Sequence, residues 1–250
     1  MNKNKLRMML IKLGLVFAIG FVTLGLFKIG NVLGNMNKVV YASNMSGYSV
    51  SDTVKTKEVK VAKVVQNRGK ILLYSSHSCE KNTDSTIIQI TENLAKKLTA
   101  KGFQVEHDKS LFADQQGYNR SYHSSGAMLD KKDLSQYVLC IDCHMDSTPK
   151  QISASYNNND VAKLMFPNVS ENPNLKAETQ IVDKIKDGLS TFNEKIYREN
   201  VTHYKKGIIY YCLDKSPNMI LMEIGSDKNN FYSCARANTL VASAIERAFK

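Results

Sequence analysis

The chain has 250 residues, of which 43% are hydrophobic and 23% charged, a composition typical of a globular protein with one substantial core. Its formal net charge is +11, but residues 1–68 hold eleven basic and two acidic residues, while residues 69–250 hold 23 basic and 21 acidic ones. Because a nucleic-acid-binding domain carries its positive charge on its folded part, this distribution argues against nucleic acid as the partner.

The N-terminal region is predicted to anchor the chain in a membrane. Leu13–Phe27 contains no charged residue, and the apolar stretch is long enough to span a bilayer as residues 13–33. Basic residues are concentrated in 1–12, so the positive-inside rule predicts a cytoplasmic tail there and export of the remainder. Residues 34–68 are predicted to form an extracytoplasmic linker. A cleaved signal peptide, with small residues at 40–42, is the alternative, but that site lies well beyond the apolar run.

Residues 69–250 alternate between strand and helix patterns. Apolar runs predict strands at 70–75, 103–106, 137–143, 162–166, 207–213 and 219–224. Helical periodicity predicts helices at 84–101, 171–197 and 230–250, with a long polar loop at 108–126. This alternation predicts an α/β fold with a single, mostly parallel sheet flanked by helices in three layers. In such folds, sites lie at the carboxyl ends of the strands.

Three predicted strands end in ionisable side chains. His77 and Glu80 follow the first strand, His144 follows the third, and Glu223 lies in the last, within the apolar run NMILMEIG. Two histidines and one glutamate form a known type of catalytic zinc site, which leaves a position for water. Burial would raise the pKa of Glu223 and suit this residue to proton transfer.

Each of these residues also has a purely structural interpretation. A histidine at a strand end is often a hydrogen-bonded loop residue, Asp142 can cap a turn, and Glu223 can pair with a buried cation. Cys140 and Cys143 match a C-x-x-C pattern, but residues three apart on a strand point to opposite faces, which favours core positions over a metal site.

Four stretches resemble the stage II sporulation protein P family: YSSHSCE at 74–80, HD at 107–108 followed by YNRSYHSS at 118–125, DCHMDS at 142–147, and LMEIGSD at 221–227. Their order and approximate spacing agree with the family. Its members are membrane-anchored peptidoglycan hydrolases with the fold of zinc-dependent N-acetylmuramoyl-L-alanine amidases. The resemblance covers the chain from about residue 71 to the C-terminus.

The resemblance implies a set of roles for the ionisable residues. His77, Glu80 and His144 would be the zinc ligands, and Glu223 would be the catalytic acid and base. The substrate would be the amide between N-acetylmuramic acid and L-alanine, with cleavage of stem-peptide cross-links as a second activity. A glutamate ligand only three residues after its histidine requires the loop to turn back sharply.

Substrate-positioning residues are expected in the loop after the second strand and beside His144. We assign this role to Asn119, Arg120, Tyr122 and Asp146; the first three have packing of the loop as their alternative. His107 and His123 are less strong candidates. Three departures from the family pattern, at Ser75, Met145 and around residues 211–213, are expected to affect substrate preference more than metal chemistry.

The resemblance also implies a location and partners. The protein would act at the sporulation septum, anchored in the cell membrane with its catalytic domain outside, in septal wall thinning and engulfment. Peptidoglycan would be its substrate. A second enzyme that trims denuded glycan strands and a further membrane protein would be its partners.

Two other functions remain compatible with the sequence. Cys79 could be the nucleophile of a cysteine hydrolase, with His77 or His144 as its base. An alkylating reagent would then abolish activity, and a chelator would not. Alternatively, the chain could be a non-catalytic, wall-binding scaffold that retains the fold.

Overall fold

The computed structural model describes residues 67–112, 120–198 and 203–250. The predicted cytoplasmic tail, the membrane segment 13–33 and nearly all of the linker 34–68 lie outside these ranges, as does Asn119. Within them, no helix has both the length and the apolar character needed to cross a membrane.

A five-stranded sheet occupies the centre of the described region. Its strands are β1 (Lys70–Tyr74), β2 (Gln104–His107), β3 (Tyr137–Asp146), β6 (Leu164–Met165) and β9 (Met219–Ser226). Two small two-stranded pairs add β4 (Ser153–Tyr156) with β5 (Asn159–Ala162), and β7 (Asn168–Val169) with β8 (His203–Tyr204). The strand order in the central sheet is β2-β1-β3-β9-β6. The first four strands of this order are parallel and β6 is antiparallel, so the prediction of a mostly parallel sheet is confirmed.

In the described part of the chain, four α-helices flank the sheet: α1 (Ile87–Ala100), α2 (Ser121–Leu129), α3 (Leu175–Ser190) and α4 (Phe231–Ala248). The same part has three shorter 3-10 segments, which span Leu134–Gln136, Glu194–Ile196 and Ile209–Lys215. The start of α1 shows how the sequence sets a boundary. The Thr86 hydroxyl accepts from the backbone N–H of Gln89, and the Gln89 side chain accepts from the backbone N–H of Thr86, which completes a capping box.

The two faces of the sheet are covered unequally. Alternate residues of β3 enter different cores: Leu139 and Ile141 pack with α1, α3 and α4, whereas Cys140 packs with α2 and the 3-10 segment Ile209–Lys215. Because side chains alternate along a strand, Asp142 and His144 share the second, thinly covered face. The ionisable residues of β3 therefore lie under a short helix and a turn.

Several element boundaries differ from the sequence prediction. Residues 207–213 do not form a strand, because residues 209–212 have positive φ and form part of a 3-10 segment. The apolar residues of this run predicted a buried strand. Cys212 and Leu213 are indeed buried, but burial alone does not distinguish a strand from a packed turn.

Other boundaries also require correction. The predicted loop at 108–126 contains the start of α2. This helix has a weak apolar pattern, and its small residues, such as Gly126, allow it to pack closely against Cys212. The predicted strand at 162–166 is divided between β5 and the antiparallel β6. The helix predicted to end near residue 197 stops at Ser190, and β3 extends to Asp146.

Helices α3 and α4 make a close contact at Gly188. A Cβ atom at this position would lie 2.9 Å from both the Cα and Cβ atoms of Ala244. We expect Gly188→Ala to lower the free energy of unfolding by about 1–2 kcal/mol, since overpacking outweighs the gain in helix propensity. Chemical denaturation of the variant would measure this change. Lys184→Ala, at an exposed position of the same helix, should change it by less than about 0.5 kcal/mol.

Glu178 is a buried carboxyl group on α3 that the proposed chemistry does not use. Burial raises its pKa from 4.5 to about 7, although a 3.0 Å hydrogen bond from Asn172 opposes this shift. Below pH 4.5 the group is protonated in both the folded and unfolded states and has no effect on stability. As the pH rises towards 7, the free energy of unfolding falls by up to about 3 kcal/mol, because Glu178 ionises freely only in the unfolded state.

Glu178→Gln should remove this dependence on pH. We expect the variant to be more stable than the wild type at pH 8 and similar to it at pH 4, as measured by denaturation at both pH values. An equal difference at the two pH values would show that ionisation of Glu178 does not affect folding.

Candidate metal centre

A tight turn after β1 brings His77 and Glu80 together. The backbone N–H of Glu80 donates to the carbonyl of His77 at 2.9 Å, so the chain reverses within three residues. His77 Nδ1 then lies 3.1 Å from Glu80 Oε1. The sharp turn that a glutamate ligand at this spacing requires is therefore present.

His144, near the end of β3, completes a three-residue cluster with this turn. Its Nδ1 atom lies 3.4 Å from Glu80 Oε1, and its ring centroid is 4.8 Å from that of His77. One ligand atom from each of the three residues lies within 4.8 Å of the other two. Two imidazole nitrogens and one carboxylate oxygen, mostly shielded from solvent, are a donor set that suits Zn²⁺.

Asp142 and Ser76 hold the other side of the His144 ring. His144 Nε2 lies 3.0 Å from both Asp142 Oδ1 and Ser76 Oγ, and the backbone N–H of Ser76 donates to the same Asp142 oxygen at 2.8 Å. A carboxylate at Nε2 favours a proton on that nitrogen and leaves Nδ1 for a ligand. Asp142 therefore orients His144, and the same carboxylate accepts from the backbone N–H of Ser76, at the start of the turn that holds His77.

The electrostatics of the cluster favour a positive charge at its centre. Burial raises the pKa of Glu80, but the larger opposite effect of His144 and His77 lowers this pKa to about 2. Burial would lower the pKa of His144, yet Asp142 and Glu80 raise it well above its ordinary value. Two carboxylates thus stabilise a cation here, which is the sign of charge that a metal ion supplies.

Glu223 lies beside His144 on the adjacent strand. The two residues are paired in register between β3 and β9, and both line the same cavity. Glu223 Oε2 is buried and has no hydrogen-bond partner within the described residues. Burial raises the pKa of Glu223 to about 8, with Glu80 adding to this effect while His144 opposes it. A carboxyl group with this pKa can exchange a proton near neutral pH.

The cavity that contains these groups has a volume of about 270 Å³. Tyr122 and Asp146, two of the predicted substrate-positioning residues, line it, and Asp146 accepts a 2.7 Å hydrogen bond from Arg198. Arg120 is exposed at the start of α2 and is not among the lining residues. The lining side chains are His77, Glu80, Tyr122, His144, Met145, Asp146, Ser147, Pro167, Tyr204, Ile208, Tyr211, Leu221 and Glu223.

The sequence analysis gave no role in this site to Asp142, Arg198, Tyr204 or Tyr211. Asp142 could have been recognised from its spacing, because residues two apart on a strand share a face and it stands two before His144. Arg198 and Tyr211 carried no such signal. The first lies far along the chain from Asp146, and the second lies in a segment predicted as a strand.

The remaining candidates are not among the described residues that line the cavity. His107 pairs with Glu92 at 3.1 Å, and His123 is exposed. Cys140 and Cys143 enter opposite cores, as the alternation of a strand predicts, and burial raises the pKa of Cys140 to about 12. Cys79 is partly exposed and is not among the residues that line the cavity.

Several solved structures resemble this chain. The CwlD amidase from Clostridioides difficile, in complex with the GerS lipoprotein, has 15% sequence identity and a TM-score of 0.49, over 72% of this chain and 98% of that one. The catalytic domain of the CD27L endolysin, which targets Clostridia difficile, has 18% identity and a TM-score of 0.46, over 72% and 96%. The N-acetylmuramoyl-L-alanine amidase AmiC2 of Nostoc punctiforme has 16% identity and a TM-score of 0.40, over 73% and 96%.

Sequence comparison is more specific than these structural likenesses. No curated protein matches the chain. The family model described as Stage II sporulation protein P (SpoIIP) matches residues 35–246, which is most of the chain and includes every residue of the metal centre. The chain therefore belongs to the stage II sporulation protein P family.

Proposed function

We propose that this protein is a zinc-dependent peptidoglycan hydrolase of sporulation that cleaves the amide between N-acetylmuramic acid and L-alanine. The observation that carries the proposal is the cluster of His77, Glu80 and His144, with Glu223 in the same cavity. Membership of the family supports the substrate class and the context of sporulation. Cleavage of stem-peptide cross-links is proposed as a second activity of the same site.

The three residues of the cluster would hold the metal. A zinc ion held by these two imidazoles and one carboxylate would supply an activated water as the nucleophile at neutral pH. Asp142 keeps the His144 ring in the orientation that leaves Nδ1 towards Glu80. The backbone N–H of Met145 donates to Glu80 Oε2 at 2.8 Å, which fixes the carboxylate of Glu80 against His144.

Glu223 would move the proton. Hydrolysis forms a bond from the water oxygen to the amide carbon and breaks the bond from that carbon to nitrogen. The ionised carboxylate takes the proton that the water loses and then delivers it to the departing nitrogen, so that L-alanine leaves as a neutral amine. Burial raises the pKa of Glu223 above that of an ordinary carboxyl group, which suits it both to take up and to release a proton.

The membrane location and the partners belong to the same proposal. The uncharged run at 13–27 would anchor the chain, with residues 69–250 on the outer face at the sporulation septum. A glycan-strand-trimming enzyme and a further membrane protein would act with it in wall thinning and engulfment.

The proposal is tested by measuring metal content and inhibitor sensitivity on the full chain purified in detergent. We expect about one zinc per chain, release of soluble wall fragments from purified peptidoglycan, and loss of that release after treatment with a chelator. Loss on thiol alkylation but not on chelation would instead support the cysteine hydrolase with Cys79. Binding of peptidoglycan by zinc-loaded protein without release of fragments would support the wall-binding scaffold.

A further inference from the structure

Four consecutive residues beside the cavity adopt a left-handed backbone. Ile209, Tyr210, Tyr211 and Cys212 have φ angles of 42°, 53°, 53° and 62°, and none of them is glycine. This conformation costs a residue with a Cβ atom roughly 1–2 kcal/mol. A run of such residues persists only where its surroundings fix it, and strain of this kind is concentrated at functional sites.

Contacts on both sides hold this left-handed turn in place. The buried Cys212 thiol donates to the Tyr122 carbonyl at 3.2 Å. Gly207 makes room for the Tyr211 ring, because a Cβ atom at Gly207 would lie only 2.6 Å from Cε2 of that ring. The strained backbone therefore fixes where the Tyr211 side chain lies.

Tyr211 is the centre of three aromatic rings that line the cavity. Its ring centroid is 4.8 Å from that of Tyr122 and 4.9 Å from that of Tyr204. We call these three residues the tyrosine wall. The Tyr122 ring in turn lies 4.8 Å from the ring of His77, so the wall adjoins the metal centre. Tyr122 is buried, whereas Tyr211 is half-buried and Tyr204 is exposed.

The charges around the cavity indicate which part of the substrate the wall contacts. The other lining groups include His144, Asp146 and Glu223, and no Lys or Arg lines the described part of the cavity. The nearby Arg198 already pairs with Asp146 at 2.7 Å. A stem peptide carries carboxylates, which no Lys or Arg of the described lining would balance. A pyranose ring is uncharged and has an apolar C–H face, which an exposed aromatic ring can cover while the hydroxyls remain in water.

We propose that Tyr211 is a specificity-determining residue, placed by the left-handed turn, and that the tyrosine wall binds the sugar ring next to the scissile amide. This inference rests on the proposed function and assigns the sugar side of the substrate to one wall of the site. Amides that carry a muramoyl sugar are then preferred to sugar-free peptides.

The test measures binding rather than turnover. Calorimetry on the full-length Glu223→Gln protein would compare peptide-free glycan oligomers with sugar-free stem peptide. We expect the additional change Tyr211→Ala to weaken glycan binding by roughly 3–10-fold and to leave peptide binding unchanged. Tyr211→Phe should stay within about twofold, because the ring is retained. Tyr232→Ala removes a 68% exposed tyrosine on α4, outside the cavity lining, and serves as the matched control.

Tyr204→Ala provides a second variant at an exposed position, so a folding defect at Tyr211 does not prevent the test. It should also weaken glycan binding selectively. Unchanged glycan affinity in both alanine variants, equal losses for glycan and peptide, or no glycan binding by the parent protein would overturn the inference. Release of fragments by the wild type is measured separately, so failure of this inference can be distinguished from failure of the proposed function.

Discussion

Glu223→Gln should lower the rate of amide hydrolysis by about 10²–10⁴-fold while zinc content stays at the wild-type level. Glutamine has nearly the same shape as glutamate but cannot accept the proton of the attacking water. Removing a buried carboxylate should leave stability unchanged or increased at pH 8, because the pKa of Glu223 is about 8 and ionisation in this site is costly. Release of soluble stem peptides, thermal unfolding and zinc content, each measured on the same preparation, would check this result.

Asp227→Asn is the matched control for Glu223→Gln. Asp227 follows β9, outside the residues that line the cavity, and its Oδ1 accepts from the backbone N–H of Thr148 at 3.2 Å, a bond that asparagine can preserve. We expect near wild-type rates in this variant. Near wild-type hydrolysis by Glu223→Gln would contradict the assignment of proton transfer to Glu223.

His77→Ala should reduce zinc from about one per chain to almost none, and should abolish hydrolysis with it. The variant removes one of the three proposed ligands and the contact of His77 with Glu80, but Glu80 keeps its contact with His144, and the pairing of His144 with Asp142 stays intact. Elemental analysis after dialysis against a weak chelator would measure the change.

Two further variants make the zinc measurement more specific. Asp142→Asn should weaken zinc affinity by about 10–100-fold without removing a ligand, because Asp142 only orients His144. His107→Ala removes a histidine that pairs with Glu92 outside the cavity and should leave zinc content unchanged. Zinc retained by His77→Ala would show that the metal is bound elsewhere.

Much of the site could be predicted because the parallel sheet determines where strand ends meet. Once β1, β3 and β9 were recognised as strands, the fold class alone placed the residues that follow them at one edge, and the observed order has these three strands side by side. Glu80 was the least obvious ligand from its spacing. The hydrogen bond from its backbone N–H to the His77 carbonyl supplies the required turn.

What the sequence did not reveal depends on backbone conformation and on tertiary contacts. Helix α2 has a weak apolar pattern, so the sequence predicts a loop over its first residues. The helix is stabilised instead by its packing on the 3-10 segment Ile209–Lys215. The left-handed turn has the composition of a buried strand. The turn contacts Tyr122 and is accommodated by Gly207, and both residues lie outside it. Such long-range constraints leave no local pattern to detect.

Ser75, a departure from the family pattern, is not among the residues that line the cavity. Its hydroxyl lies 3.3 Å from that of Thr91 on α1 and is fully buried. Met145 is at the cavity, but Glu80 contacts its backbone N–H, which any residue except proline supplies. Both observations agree with a metal centre that tolerates these two departures.

The central claim is that the zinc-loaded site cleaves the bond between the muramoyl carbonyl and the nitrogen of L-alanine. The most direct test is digestion of purified peptidoglycan by the full-length protein in ¹⁸O-labelled water, with mass spectrometry of the products. The account predicts stem peptides that begin with a free L-alanine amine, and ¹⁸O in the newly formed carboxyl group of the muramoyl lactyl arm. Release of fragments cut only at other bonds, or no release by protein that carries a full complement of zinc, would contradict it.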